Sequence, residues 1–251
     1  MSTAPSHPLG IDFGGSGIKG TTVDLDRGDF ADERVRIETP SPSTPEAVAE
    51  VFVELLARFA DSSGPVGVTV PAVVRHGVVG SAANIDRSWI GTDADAVFTA
   101  ATGRDVHVVN DADAAGLAEA TYGAARGHRG LVIVTTLGTG VGSAIIHDGV
   151  LVPNSELGHL EVDGHDAESR AANSAREREG LSWEEWAERL TVYYATVEAL
   201  FSPDLFVVGG GVSKHAEHFL PLIDVRTPLV PATLQNRAGI VGAALHAARA
   251  G

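Results

Sequence analysis

Asn110 and Asp111 close an apolar run at 106–109, and the alanine-rich segment 112–122 that follows has a helical pattern. A strand-to-helix junction of this kind is where α/β proteins present polar side chains to ligands. An aspartate at the end of a buried strand is costly to bury, which argues that it has a use. Transfer of a phosphoryl group to an alcohol asks for alignment, charge neutralisation and one carboxylate to take the hydroxyl proton. Asp111 has the position for that carboxylate. Asp113, further into the helix, reads as a partner of the helix dipole.

Glycine-rich segments supply a second kind of chemistry. Gly14, Gly15, Ser16 and Gly17 lead to Lys19; Thr139 and Gly140 lie within GTGVG; Gly210 and Gly211 end a run of three glycines. The stretch from Gly15 matches G-x-G-x-x-G, yet a dinucleotide fingerprint opens a helix, whereas Thr21-Thr22-Val23-Asp24-Leu25 is β-branched and alternating. It is not a P-loop either, because isoleucine precedes Lys19. What remains is a glycine hairpin turn, whose backbone angles can aim successive N–H groups at a phosphate. One such turn is as readily an ordinary turn; three make a phosphate site the better reading. The chain's two lysines, Lys19 and Lys214, both fall in or just after these segments, as a compact charge for phosphate would.

Asp12 precedes the first turn, where it either holds Mg2+ through water or caps the turn as an Asx residue. Glu156, His159, Glu161 and Glu168 gather in NSELGHLEVDGHDAE, a set suited to hydrogen bonding with vicinal hydroxyls. His159 with His165 and Asp166 offers metal-type ligands instead, but at no recognised zinc spacing. A solvated polar loop is the third reading.

The elements that must position these residues follow from periodicity. Residues 8–25 read as strand, turn, strand; 45–60 as an amphipathic helix capped by Thr44; 66–70 as a strand; 76–82 as a strand or hairpin arm; 93–102 as a helix. The second half opens again with strand, glycine turn and strand, then an Asp148-Gly149 hairpin. Helices are expected over 167–179 and 182–200, the latter with a Ser182 to Glu185 capping box. A buried strand enters the triple glycine, and 239–250 is a final helix. The domain boundary is placed near 111: 1–111 an N-terminal lobe, 112–237 a C-terminal lobe, with the last helix, about 238–251, packing back on the first.

The bulk properties exclude some classes. A formal net charge of -15 and a pI near 4.9 disfavour nucleic acid and anionic lipid. The absence of cysteine removes disulfides, thiolate catalysis and cysteine-ligated metals. The opening residues carry no basic-then-apolar leader, and the longest uncharged run, 131–146, is broken by glycines and short of a membrane span. The expectation is a cytoplasmic protein.

Together, IDFGGSGIKG, NDADAAGLAEA, TLGTGVGSA, ELGHLE and VVGGGVS resemble the phosphate, catalytic, second phosphate, sugar and adenosine-side segments of the ROK family, its polyphosphate glucokinase and glucomannokinase branch in particular. The resemblance implies an α/β, duplicated actin-like (ribonuclease H-like) fold, two lobes with a cleft between them, and phosphoryl transfer from polyphosphate or ATP to the 6-hydroxyl of glucose with Mg2+. It implies Asp111 as catalytic base and Asn84, Asn110, Asp111, Glu156, His159 and Glu168 as sugar ligands. Gly14, Gly15, Ser16, Gly17, Lys19, Thr139 and Gly140 would hold the donor, with Gly210 and Gly211 beside its path and Asp12 toward the metal. Most of the family carry a zinc site of one histidine and three cysteines; this chain, lacking cysteine, is expected to have no zinc site and to leave His159 free of metal. The family's repressors carry a DNA-binding domain ahead of the first strand; with seven residues before Pro8, a repressor is not expected. A homodimer is expected. The same residues would also suit a ROK kinase of mannose, fructose or an amino sugar, or a non-catalytic sugar sensor. For a polyphosphate track the basic candidates are Lys19, Arg126, His128, Arg129 and Lys214.

Overall fold

The structure is a computed structural model that describes residues 7–250; residues 1–6, read above as carrying no leader, and residue 251 lie outside it. The fold divides into two compact units, one running to Ala114 and resuming at Arg237, the other spanning Ala115–Asn236.

The first unit opens with β1 (Leu9–Gly14), β2 (Gly17–Asp24), β3 (Asp29–Phe30) and β4 (Val35–Ile37). It continues through α1 (Pro45–Ala57), β5 (Val66–Val70), β6 (Val74–Arg75), β7 (Val78–Val79), α2 (Ala94–Thr102) and β8 (Val106–Asn110) to the start of α3 (Asp111–Tyr122). Its sheet has the order β3-β2-β1-β5-β8, with β4 also on β2. β1 and β2 form an antiparallel hairpin, while β1, β5 and β8 are parallel. Strand alternation sends Leu9, Ile11, Val66 and Val68 into a core with Phe52 of α1 and Phe98 of α2, whose rings stack at 4.1 Å.

The second unit has β9 (Leu131–Leu137), β10 (Val141–His147), β11 (Val150–Val152), β12 (Glu161–Val162) and β13 (His165–Asp166). There follow α4 (Glu168–Ala171), α5 (Asn173–Glu179), α6 (Trp183–Phe201), β14 (Leu205–Gly209), α7 (Ala216–Phe219) and β15 (Leu229–Pro231). The sheet order is β11-β10-β9-β14-β15, again an antiparallel hairpin followed by parallel strands. The strand plan of the first unit is thus repeated. Trp186, Leu190, Tyr194 and Val197 of α6 bury against Ile133, Phe206 and Val208. The chain ends in α8 (Ala238–Ala250), which belongs to the first unit and covers the opposite face of its sheet. That approach requires Gly67, because a Cβ there would run into the backbone of Ala243.

Local signals account for most boundaries. Thr44 Oγ1 caps α1, and α6 begins with the reciprocal Ser182–Glu185 capping box. The 76–82 segment contributes β7 of a hairpin with β6, turned at His76 and Gly77, both with positive φ. Helix α1 stops at Ala57, short of residue 60. The single helix expected over 167–179 is two, broken at Ala172, whose ψ of 148° is extended. The indole of Trp186 donates to Ala171 O at 3.2 Å, and Ser174 N donates to Gly138 O at 3.1 Å. These partners draw the backbone out of the helical ladder.

Candidate active site

In the first unit the parallel strands β1, β5 and β8 end side by side. Asp12 pairs in register with Thr69, and Val70 with Asn110. Asp12 Oδ1 accepts from Thr69 Oγ1 at 3.0 Å, and its Oδ2 lies 3.5 Å from Lys19 Nζ, directly across the hairpin. Asp12 is therefore a strand residue facing a hydroxyl and a cation, and the Asx-turn alternative does not hold. The turn itself is Gly15-Ser16; Arg36 on β4 donates to Ser16 O at 2.9 Å, and Thr39 Oγ1 to Gly14 O at 2.6 Å. Asn84 is exposed on the loop after β7, its carbonyl beside Gly15.

Asn110 is buried and spends its side chain on structure. Its Nδ2 donates to Ala72 O at 3.0 Å, and its Oδ1 accepts from Ala112 N and Asp113 N at 2.9 and 3.0 Å. This is an N-cap for α3, of a kind worth about 1 kcal/mol. The cap turns the next residue outward: Asp111 is exposed and Asp113 is buried, so the burial cost expected for Asp111 falls on its neighbours. Asp111 Oδ1 accepts from Ala112 N at 2.9 Å.

In the second unit the turn of residues 138–140 is braced from outside. Ser174 Oγ donates to Thr139 O at 2.6 Å, and Glu168 Oε2 accepts from Val141 N at 3.1 Å. A Cβ at Gly140 would meet the carboxylate of Glu168 and push it from its place on Val141 N. Gly210, with φ of 83°, packs on the backbone of Leu137, setting the third glycine segment against the end of β9. Among the named glycines only Gly210 uses left-handed angles; Gly14, Gly15, Gly17 and Gly140 do not. The angle argument for the first two turns therefore fails, and at Gly140 the glycine leaves room for the Glu168 carboxylate.

Ser143 on β10 anchors the ELGH segment: its Oγ donates to Ser155 O at 2.8 Å and accepts from Leu157 N at 2.9 Å. Gly158 rests on the carbonyl of Val141, which holds the 3-10 turn Leu157–His159 against β10. His159 Nδ1 is 2.9 Å from Asp166 Oδ2. That bond raises the imidazole pKa, as do the charges of Glu168, Asp166 and Glu156, while burial lowers it. Glu156 has an exposed side chain, yet loss of hydration around its carboxylate pushes its pKa up, with His159 lowering it and Glu168 raising it further. Glu156, His159 and Glu168 thus form one electrostatic cluster. The ligand atoms of His159, Asp166 and Glu168 lie within 4.8 Å of one another, with Glu168 in place of His165 in the alternative metal set. Glu161 and His165 are exposed on the adjacent hairpin.

Lys214 is exposed in the 3-10 turn Gly211–His215 that follows the third glycine segment; Arg126, His128 and Arg129 are exposed between α3 and β9. The turn is buttressed by Trp183, which stacks on His218 and Phe219 with Arg176 4.0 Å over its ring. Sequence reasoning missed this cluster, along with Thr69, Ser143 and Ser174. Their only signal is a hydroxyl or aromatic at an unremarkable position, and their partners are far away in sequence.

Comparison with known proteins adds a further layer. The family model described as ROK family matches residues 8–175. The polyphosphate glucokinase of Mycobacterium tuberculosis (strain CDC 1551 / Oshkosh) is 52% identical over 245 residues, 97% of this chain and 92% of that protein. The crystal structure of the inorganic polyphosphate/ATP-glucomannokinase from Arthrobacter sp. strain KM matches with a TM-score of 0.94 at 57% identity, covering 98% of this chain and all of the other. A ROK family glucokinase from Streptomyces griseus, solved with glucose and AMPPNP, matches with a TM-score of 0.82 at 26% identity, covering 98% and 100%. These likenesses carry the duplicated actin-like fold expected from the sequence.

Proposed function

The chain belongs to the ROK family, and from that membership we propose that it transfers a phosphoryl group from inorganic polyphosphate or ATP to the 6-hydroxyl of glucose. The observation that carries this reading is the 52% identity to a polyphosphate glucokinase over 97% of the chain, and so through both units.

Asp111 is the general base. It takes the proton of the 6-hydroxyl as that oxygen attacks the terminal phosphorus of the donor; the new O–P bond forms and the phosphoanhydride P–O bond breaks. The leaving ADP or shortened polyphosphate keeps the electron pair. Asn110 holds Asp111 in place through the α3 cap and keeps one amide hydrogen for the sugar. Asn84, Glu156, His159 and Glu168 serve the sugar hydroxyls. Gly14, Gly15, Ser16, Gly17 and Lys19 receive donor phosphates, as do Thr139 and Gly140, with Gly210 and Gly211 beside the donor's path.

Mg2+, when bound, neutralises charge on the donor. Asp12 suits it through water: Thr69 engages Oδ1, while Oδ2 is held only loosely by Lys19, at 3.5 Å. Among the described residues no helix is long and apolar enough to cross a membrane. We propose the cytoplasm as the place of an enzyme that uses ATP or polyphosphate. We also assign it as a homodimer, with exposed Val192 and Leu200 on α6 as apolar surface a second copy would cover; sedimentation equilibrium decides that point.

Incubation of the protein with glucose, Mg2+ and either donor should yield glucose 6-phosphate, and no product from any donor would overturn the reading. Mannose is the second acceptor to assay, because the Arthrobacter relative is a glucomannokinase. Initial rates with polyphosphate and ATP on one preparation establish donor preference.

A further inference from the structure

We propose that Asp166 is a positioning residue for the acceptor site: it fixes His159 as the tautomer protonated on Nδ1, with Nε2 left as the acceptor of a sugar hydroxyl, and holds Glu168 with the same carboxylate. This deepens the proposed sugar-kinase reading and rests on it.

The argument starts from a two-residue turn. Asp163 and Gly164 both have positive φ, 51° and 75°, and close a tight hairpin between β12 and β13. An Asp-Gly pair is the sequence that turn demands. Its register sets Asp166 opposite Glu161, and Ala167 N donates back to Leu160 O at 2.9 Å. The chain is thereby folded onto the residue next to His159. Asp166 Oδ2 meets His159 Nδ1 at 2.9 Å, Asp166 Oδ1 accepts from Glu168 N at 3.2 Å, and its carbonyl accepts from Ser169 Oγ at 2.6 Å. Glu168 in turn reaches Val141 N. One carboxylate therefore joins two residues assigned to the sugar and, through Glu168, the second glycine turn.

A carboxylate only accepts hydrogen bonds, so the imidazole nitrogen facing it must carry the hydrogen. In the neutral ring the other nitrogen is then an acceptor. A carboxylate behind a histidine sets tautomer and ring orientation in this way in metal and catalytic sites, where its loss costs about 10–100-fold. The groups bearing on His159 are Asp166, Glu168 and Glu156, all acidic. The Asp166 bond first and then their charges raise its pKa against the lowering effect of burial, so Nε2 is an acceptor above that raised pKa, where the ring is neutral.

Asp166→Asn discriminates sharply because Oδ1 is already committed. To keep accepting from Glu168 N–H, the carboxamide must place its oxygen there, which turns its NH2 group toward His159 and makes Nδ1 the acceptor. Long-range 1H–15N correlation on the full-length protein, with the His159 signal assigned by its loss in His159→Gln, reads the tautomer directly. The wild type should be predominantly Nδ1–H when neutral. In Asp166→Asn the ratio should invert and the imidazole pKa fall, while the KM for glucose rises about tenfold or more and the donor KM stays unchanged.

A wild-type ring protonated on Nε2 overturns the proposal without any variant, so a failure of Asp166→Asn to fold does not protect it. It is also overturned if Asp166→Asn keeps the wild-type tautomer. A drop in thermal stability with glucose and donor KM rising together, the signature of a merely structural role, overturns it too. So does stoichiometric zinc in the purified protein that leaves with chelator and takes glucose affinity with it. Should the protein phosphorylate no hexose, the tautomer measurement still reports on Asp166 while the kinase reading fails alone.

Discussion

In the first unit the hairpin of β1 and β2 turns through Gly15-Ser16 and is lined by charge, with Lys19 across from Asp12 and Arg36 of the neighbouring β4 donating to Ser16 O. In the second unit the hairpin of β9 and β10 turns through residues 138–140 and is braced by neighbours, with Ser174 on the carbonyls of Gly138 and Thr139 and the carboxylate of Glu168 on Val141 N. The sheet plan is the same in both. One turn therefore stands among cations and the other against an acid. Duplication delivers a turn to the end of a lead strand, and the residues packed around it decide which ligand it meets. On the proposed reading both turns receive donor phosphates, and only the second is also tied to a residue assigned to the acceptor, Glu168.

The largest effect expected is at the residue outside both hairpins. Asp111→Asn should lower kcat about 1,000-fold or more in a coupled glucose 6-phosphate assay while calorimetry still detects glucose binding. A variant that keeps a tenth of the rate defeats the base assignment. The next pair tests the comparison itself. Lys19→Met should raise the donor KM about 10–100-fold, the range for losing a charge-assisted hydrogen bond, and leave the glucose KM alone. Glu168→Gln should do the reverse, raising the glucose KM about tenfold, because its amide oxygen can still accept from Val141 N–H and keep the turn in place. If both variants shift both constants, the separate donor and acceptor roles of Lys19 and Glu168 are wrong.

Much of this arrangement is legible in sequence. The apolar runs of β1, β5, β8, β9 and β14 and the Ser182 capping box depend on local pattern, and they form where the pattern puts them. The glycine turns are legible as turns, but the reason for their glycines is not: Gly140 yields to a carboxylate 28 residues later and Gly210 to the backbone of Leu137. The break at Ala172 is hidden for the same reason, since an alanine-rich stretch favours helix until a distant carbonyl and a distant indole capture its ends. Asp111 is legible by position and misread in exposure. That exposure follows from Asn110 taking the cap, a choice between adjacent polar residues that only the packing against Ala72 makes.

The smallest effect expected is the one that separates binding from folding within the acceptor cluster. Loss of hydration holds Glu156 above the ordinary carboxylate range, with Glu168 adding to the shift and His159 opposing it. A carboxylate whose pKa is higher folded than unfolded contributes stability that is fully present below the unfolded value and lost as pH rises through the folded one. Near pH 7 Glu156 is therefore a cost to the fold, and at about pH 4 it is not. Glu156→Gln should raise Tm near pH 7 by about 1–3 °C, with the gain shrinking toward pH 4, while the glucose KM rises about tenfold. Such an exchange of stability for binding is what a group retained for its ligand would give. Calorimetric scans of both proteins at the two pH values check it; a Tm that falls near pH 7 would mean that Glu156 is satisfied by its surroundings and that the cluster is structural.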